Sequence, residues 1–273
     1  MKKLQLSVAL LGFLSLVGCT TVSETGRKQF NIVSGGEEAK LGLSAFDDMK
    51  KQVPISKDSA ANALVQKVGN KIASVASASM PNAQWEFVVF ESKEANAFCL
   101  PGGKIGVYTG ILPITRDEAG LATVISHEVA HAVAHHGSER MSQGVALQTG
   151  GKVVGALSAN TQPITQTAIG ALYGLGSQLG YALPHSRLQE SEADHIGLKF
   201  MARAGYNPEA AVDFWKRFSA FNEKAGGGGT PWFLRTHPVD AKRIEDIQKW
   251  LPEARQEMGG KGAGAKGSDV IGK

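Results

Sequence analysis

The pattern His-Glu-x-x-His constrains this 273-residue chain more than any other feature, and it occupies residues 127–131. It lies in a stretch whose apolar residues recur at helical spacing, which predicts an embedded helix. On an α-helix, residues four apart lie about 40° apart on one face and one turn apart in height. The imidazoles of His127 and His131 can therefore reach a single metal ion. Glu128 lies about 100° round from His127, where its carboxylate can contact a water molecule on that metal.

Imidazole nitrogens are typical zinc ligands, and a catalytic zinc site needs a third protein ligand and an open position for water. The long metzincin pattern would supply a third histidine. It requires glycine at position 134 and histidine at position 137, where this chain has Ala134 and Gly137. His135 lies about 80° round from His127 and two turns along, so reaching the metal would distort the helix. We therefore expect His135 to be a polar residue that flanks the site.

An acidic cluster on a later predicted helix offers the third ligand. Glu190 and Asp194 are four residues apart and share a helix face. Glu190 can ligate zinc while Asp194 accepts a hydrogen bond from a ligand histidine, which fixes the tautomer of that histidine. Glu192 is expected to point about 160° away from Asp194. A solvated acidic face is the alternative for Glu190 and Glu192. Gly197, one turn beyond Asp194, would allow two helices to approach closely.

The charge balance excludes a nucleic-acid-binding surface. The chain has 29 basic and 25 acidic residues, a net charge of +4. The excess lies at the two ends, since residues 1–18 hold two lysines and residues 259–273 hold three lysines against one aspartate. The body of the chain is therefore balanced and presents no basic face to nucleic acid.

Residues 1–18 have the organisation of a lipoprotein signal peptide. Two lysines precede an apolar run that is shorter than the roughly 20 residues of a membrane-spanning helix. Residues 16–19 (LVGC) resemble the bacterial lipobox, which implies cleavage before Cys19 and acylation of that residue. Thr20 follows, not the aspartate that retains enterobacterial lipoproteins at the inner membrane, so we expect the periplasmic face of the outer membrane. An uncleaved anchor or an ordinary secretory signal is the alternative.

The rest of the sequence predicts one mainly helical α+β domain over residues 35–258. A hydrophobic content of 42% is enough for a packed core. Residues 84–91, 96–100 and 104–109 predict strands of a small antiparallel sheet before the His-Glu-x-x-His helix, with a tight turn at 101–103. Helical spacing and capping residues predict the helices, at 37–53, 59–76, 115–136, 186–204, 208–221 and 238–250.

Four features define the expected boundaries and loops. Thr115, followed by Glu118, is a capping-box pattern and predicts the start of the His-Glu-x-x-His helix. Residues 143–184, rich in small side chains, predict a helical hairpin without an apolar run of spanning length; a lid and a membrane-facing surface both stay open. Residues 19–34 predict a polar tether. The glycine-rich segments predict a flexible loop and a disordered tail, at 226–229 and 259–273.

The combined motifs resemble a known family. The HExxH pattern followed downstream by ExxAD, here Glu190 to Asp194, resembles the gluzincin metallopeptidases of peptidase family M48. That family includes HtpX, the CAAX prenyl proteases and soluble periplasmic lipoprotein relatives. Residues 96–110 (NAFCLPGGKIGVYTG) look like its strand pair before the zinc helix. Residues 235–238 (RTHP) with Arg243 look like its C-terminal histidine motif, and the resemblance extends from about residue 37 to residue 247.

The resemblance implies a zincin-like fold, one zinc ion on His127, His131 and Glu190, and Glu128 as the general base. His237 is expected to donate to the oxyanion or to visit the zinc as a fourth, inhibitory ligand. Its alternative role is only to precede Pro238 at a helix start. Cys99 stands where relatives more often have alanine, which leaves its role open.

A peptide substrate is expected to lie extended along an edge strand and pair backbone to backbone. Residues 104–108 could supply that strand, but the family favours Asn96, Ala97 and Phe98. Such pairing ignores side chains and suits a zinc metalloendopeptidase that removes unfolded or misassembled envelope proteins. The alternative is a lipoprotein chaperone or assembly factor with a structural or regulatory zinc. Glu128 favours the peptidase, because a structural site has no use for a base beside an open coordination position.

Overall fold

The computed structural model describes residues 19–157, 186–224, 232–238 and 240–258. Four predicted features lie wholly or partly outside these residues. They are the signal peptide, the second part of the small-residue hairpin, the glycine-rich loop and the C-terminal tail, at 1–18, 158–184, 226–229 and 259–273.

The described chain is mainly helical, as predicted, and it has two small sheets where one was predicted. The strands are β1 (Cys19–Thr21), β2 (Lys28–Phe30), β3 (Glu86–Phe90), β4 (Ala97–Leu100) and β5 (Lys104–Tyr108). The helices are α1 (Gly35–Gln52), α2 (Ser59–Ala76), α3 (Leu112–Thr115), α4 (Glu118–Val133), α5 (His136–Leu157), α6 (Arg187–Arg203), α7 (Ala210–Lys224), α8 (Trp232–Thr236) and α9 (Ala241–Gln256).

Strands β3, β4 and β5 form a mixed sheet, so the prediction of an antiparallel sheet is wrong in one respect. Strand β5 lies in the centre, antiparallel to β4 but parallel to β3. The chain leaves β3 and crosses to the far edge before it returns through a tight turn into the central position. Gly102 and Gly103 make that turn with φ angles of 84° and 83°, which glycine adopts without strain. The central place of β5 excludes residues 104–108 as an edge for substrate.

Helix α4 carries the His-Glu-x-x-His pattern, but its predicted ends are both wrong. Its N-cap is Asp117, whose side chain accepts a hydrogen bond of 2.8 Å from the Gly120 N–H. Thr115 instead ends α3 and donates to the Leu112 carbonyl. The helix ends at Val133 because the chain turns at His135, which has a left-handed φ of 54°. Helix α5 then begins in a new direction.

Helix α4 forms the centre of the molecule. Nearly all of its residues are buried, and it contacts α2, α6, α7 and strand β4. The predicted close approach of two helices occurs at Gly197 of α6. A Cβ atom placed there would lie only 3.2 Å from the backbone nitrogen of His127. This contact sets the spacing between the two helices that carry the predicted zinc ligands.

Residues 19–34 do not form the predicted tether. Strands β1 and β2 pair as an antiparallel hairpin, which we call the N-terminal hairpin (residues 19–30). Val22 in its turn is 1% exposed, and Arg27 forms ion pairs with Glu139 at 2.8 Å and Glu192 at 2.7 Å. Just beyond it, the Asn31 side-chain amide donates to the Ser138 hydroxyl. Polar contacts hold this segment on the helices, which is why apolar periodicity did not reveal it.

None of the helices in the described part of the chain has both the length and the apolarity needed to cross a bilayer.

The α4–α6 contact predicts a specific sensitivity at Gly197. Gly197→Val should lower the free energy of unfolding by about 1–3 kcal/mol, because the new side chain meets the backbone of α4. Urea unfolding followed by circular dichroism measures this change. Gly36→Val is the matched control, since nothing lies within 4 Å of a Cβ atom at that position. Equal stability of the two variants would contradict the proposed close packing.

Candidate metal centre

Two helices and one loop residue bring four buried side chains together. Helix α4 supplies His127 and His131, α6 supplies Glu190, and His237 follows directly after α8. One ligand atom from each of the four lies within 4.8 Å of the others. The structure therefore unites the three predicted ligands, although they are separated by up to 63 positions in the chain.

The geometry of this cluster fits one zinc ion. The Nε2 atoms of His127 and His131 are 3.1 Å apart. The carboxylate of Glu190 places one oxygen 3.3 Å from His131 Nε2 and the other 3.5 Å from His127 Nε2. Ligand atoms about 2.0–2.1 Å from a tetrahedral ion are roughly 3.3 Å apart, which matches these distances. Two imidazoles and one carboxylate are also the donor set of many catalytic zinc sites.

Glu128 and His237 lie beside these ligands. His237 Nδ1 is 2.9 Å from a carboxylate oxygen of Glu190 and 3.3 Å from His127 Nε2. On its other side, His237 Nε2 is 3.4 Å from a carboxylate oxygen of Glu128. Burial raises the pKa of Glu128, although the charges of His237 and His127 oppose this shift. Its carboxylate can therefore hold a proton more readily than an exposed glutamate.

Asp194 and Arg243 contact the predicted ligand side chains. An oxygen of Asp194 lies 2.9 Å from His127 Nδ1, the nitrogen that a carboxylate would contact to orient a ligand histidine. Arg243 on α9 binds both Asp194 oxygens, at 2.6 Å and 2.9 Å, and reaches Glu190 at 2.7 Å. Burial acts to raise the pKa of Asp194, but the charges and contacts of Arg243 and His127 together outweigh burial and lower that pKa. The ring of Trp215 lies 3.9 Å from the Arg243 guanidinium carbon.

Sequence reasoning missed His136 and the contacts that Glu192 makes. His136 is fully buried, with Nδ1 2.8 Å from His131 Nδ1 and Nε2 2.9 Å from an oxygen of Glu192. Glu190 and Glu192 are 2% and 6% exposed, so the alternative of a solvated acidic face is wrong. Helical spacing could not reveal these contacts, because the break at His135 turns His136 inward.

His135 and Cys99 lie outside the ligand cluster. His135 Nδ1 is 2.7 Å from a Glu38 oxygen, and its side chain is 40% exposed, which agrees with a polar flanking residue. Cys99 is buried on β4, and burial, together with the charge of Glu128, raises the pKa of its thiol. Cys19, the predicted lipidation site, is exposed at the start of β1.

The predicted substrate strand is at the edge of the three-stranded sheet. Ala97 and Phe98 belong to β4, which also contacts helix α4. The carbonyl of Asn96 accepts a hydrogen bond of 3.0 Å from the Tyr108 N–H and extends the pairing by one residue. The ring of Phe98 packs in the core against Phe46 and Tyr108. A peptide on this edge would therefore meet the backbone of β4 and not the Phe98 side chain.

Comparison with known proteins agrees with this geometry. The mitochondrial metalloendopeptidase OMA1 of Schizosaccharomyces pombe is 34% identical over 234 residues, 85% of this chain and 66% of the relative. OMA1 of Saccharomyces cerevisiae is 36% identical over 187 residues, 67% of this chain and 52% of the relative. The beta-barrel assembly-enhancing protease of Yersinia pestis is 26% identical over 216 residues, which are 78% of this chain and 43% of the relative.

The matched part of the chain spans less than two thirds of each of these relatives. Residues 59–251 match Peptidase family M48. That match covers more than half of the chain and includes every member of the buried His-His-Glu-His cluster. The chain therefore belongs to peptidase family M48, a family of zinc metallopeptidases.

Proposed function

We propose that the protein is a zinc metalloendopeptidase that hydrolyses peptide bonds in unfolded or misassembled cell-envelope proteins. One observation carries the proposal. The three ligand side chains His127, His131 and Glu190 converge in a buried site, and a fourth side chain, Glu128, lies beside them with a raised pKa. A site built only to hold a structural ion would gain nothing from an extra buried carboxylate.

Glu128 acts as the general base and then as the general acid. When bound, zinc supplies a Lewis acid that polarises the substrate carbonyl and lowers the pKa of water. Glu128 accepts a proton from the attacking water and returns it to the leaving nitrogen. The Glu128 carboxylate is buried beside the ligand cluster, which is where both transfers would take place. No covalent intermediate with the protein is required.

Asp194 and Arg243 keep the ligands in place. The carboxylate of Asp194 lies 2.9 Å from His127 Nδ1, where its charge favours the tautomer that carries the proton on Nδ1 and leaves the lone pair on Nε2. Arg243 holds the carboxylates of Asp194 and Glu190 together and balances their buried charge. Both residues act through the ligands.

His237 is proposed to be the fourth, inhibitory ligand. A role at a helix start does not fit, because α9 begins at Ala241 with Asp240 as its N-cap. The Nδ1 atom of His237 lies 2.9 Å from Glu190 and 3.3 Å from His127, inside the ligand cluster. In this position its ring blocks the space that water and substrate need, so it has to move before hydrolysis.

The proposed cellular location rests on the N-terminal residues of the chain and on the relatives. The lipobox-like residues 16–19 support cleavage of the signal peptide and a lipid on Cys19. Cys19 is exposed, as a membrane attachment point must be. The relative in Yersinia pestis is named for beta-barrel assembly, which supports the periplasmic face of an outer membrane. Polypeptide substrates would pair with the edge strand at Asn96, Ala97 and Phe98.

The catalytic proposal predicts a large effect of Glu128→Gln. Turnover of an unfolded protein substrate should fall by about 10²–10⁴-fold, because the amide cannot take the proton from water. Zinc content, measured by metal analysis, should stay at one ion per chain. Glu38→Gln is the matched control, since Glu38 is equally buried but lies at His135 and not in the cluster. Equal turnover of Glu128→Gln and the unmodified protein would favour the chaperone or assembly factor.

The proposed role of His237 predicts a different pattern for His237→Ala. Zinc affinity should fall, because one ligand is lost, while kcat on a short unfolded peptide should stay equal or rise. Chelator competition and steady-state kinetics measure the two quantities. A fall in kcat of about 10²-fold at unchanged zinc affinity would instead assign His237 to the oxyanion.

A further inference from the structure

The second ring nitrogen of His131 has a distinctive partner. Its Nε2 atom faces the ligand cluster, 3.1 Å from His127 Nε2 and 3.3 Å from a Glu190 oxygen. Its Nδ1 atom lies 2.8 Å from Nδ1 of His136, a side chain that is fully buried. The orienting group behind this histidine is therefore another histidine, whereas His127 has the carboxylate of Asp194 in that place.

The positions of the protons follow from this contact. A neutral imidazole that offers the Nε2 lone pair to a metal carries its proton on Nδ1. His131 must then donate to His136 Nδ1, which leaves the proton of His136 on Nε2. That nitrogen lies 2.9 Å from a Glu192 oxygen, which accepts it. Glu192 thus selects the tautomer of His136, and His136 selects that of His131.

Glu192 is held in turn by the N-terminal hairpin. Nε of Arg27 donates to Glu192 at 2.7 Å, and the Thr25 hydroxyl donates to the other Glu192 oxygen. The remaining guanidinium nitrogens of Arg27 bind both oxygens of Glu139, at 2.8 Å and 2.9 Å. Because Arg27 makes contacts with two carboxylates at once, its position fixes the orientation of Glu192.

The two ligand histidines therefore have similar arrangements of partners. Asp194 lies at Nδ1 of His127, and Arg243 forms an ion pair with Asp194. His136 lies at Nδ1 of His131, Glu192 contacts His136, and Arg27 forms an ion pair with Glu192. The first arginine comes from the C-terminal helix α9, and the second comes from the N-terminal hairpin.

We propose that His136, Glu192 and Arg27 are positioning residues of the zinc site, which set the tautomer and orientation of His131. Through Arg27, the N-terminal hairpin is a structural part of that site. The proposal rests on the proposed function in one respect, the assignment of His131 as a zinc ligand. Mutation of a residue that hydrogen-bonds to a metal ligand typically weakens metal binding by about 10–100-fold.

Zinc affinity of the metal-free protein tests this proposal directly. Competition with a chromophoric chelator gives the dissociation constant for zinc, and circular dichroism with thermal unfolding monitors the fold. His136→Leu removes the acceptor and should weaken zinc binding by about 10–100-fold. His136→Gln should restore most of the affinity, because its amide can accept from His131 and donate to Glu192. Arg27→Met should weaken binding by a smaller factor, since it acts one step further from the metal.

Two further variants separate the possible results. Arg203→Met removes a different ion pair of the N-terminal hairpin, the one with Glu24 at 3.2 Å, and should leave zinc affinity unchanged.

His131→Ala should abolish tight zinc binding. If it does and folded His136→Leu binds zinc like the unmodified protein, the positioning role is wrong. If His136→Leu does not fold, equal affinity of Arg27→Met and Arg203→Met overturns the proposal. Unchanged binding by His131→Ala would instead overturn the ligand assignment itself.

Discussion

The close packing of α4 against α6 creates the constraint on which the rest of the structure depends. It buries two histidines and the Glu128 carboxylate of α4 together with three carboxylates of α6, and buried charges are costly unless each has a partner. Arg243 neutralises Asp194 and Glu190 from α9, and Arg27 neutralises Glu192 from the N-terminal hairpin. The two ends of the described chain are thereby joined to the same central pair of helices.

Much of the site could be predicted from the sequence, because it depends on the period of single helices. The spacing of His127 and His131 and that of Glu190 and Asp194 place each pair on one face. The contacts that were missed depend on breaks in regular structure or on polar segments. His136 turns inward only because His135 adopts a left-handed backbone, and Arg27 lies in a segment without apolar periodicity. The capping-box pattern at Thr115 also predicted the wrong cap, because Asp117, two residues later, is the N-cap of α4.

The edge of the three-stranded sheet lies next to the helix that carries His127 and His131. The edge strand β4 contacts helix α4, so a chain paired with that strand would run beside the ligand cluster. Backbone pairing selects extended, unfolded segments and places little demand on their side chains. The proposed substrate strand therefore lies next to the helix that carries two of the proposed metal ligands. The N-terminal hairpin links these elements to Cys19, where the proposed lipid would attach.

The central claim is that His127, His131 and Glu190 hold one zinc ion between α4 and α6. A crystal structure of the zinc-loaded protein, with anomalous data collected at the zinc absorption edge, tests it most directly. We predict one anomalous peak per chain in the ligand cluster, about 2.0–2.2 Å from both Nε2 atoms and from a Glu190 oxygen. A peak elsewhere, or a zinc ion bound without Glu190, would contradict the account.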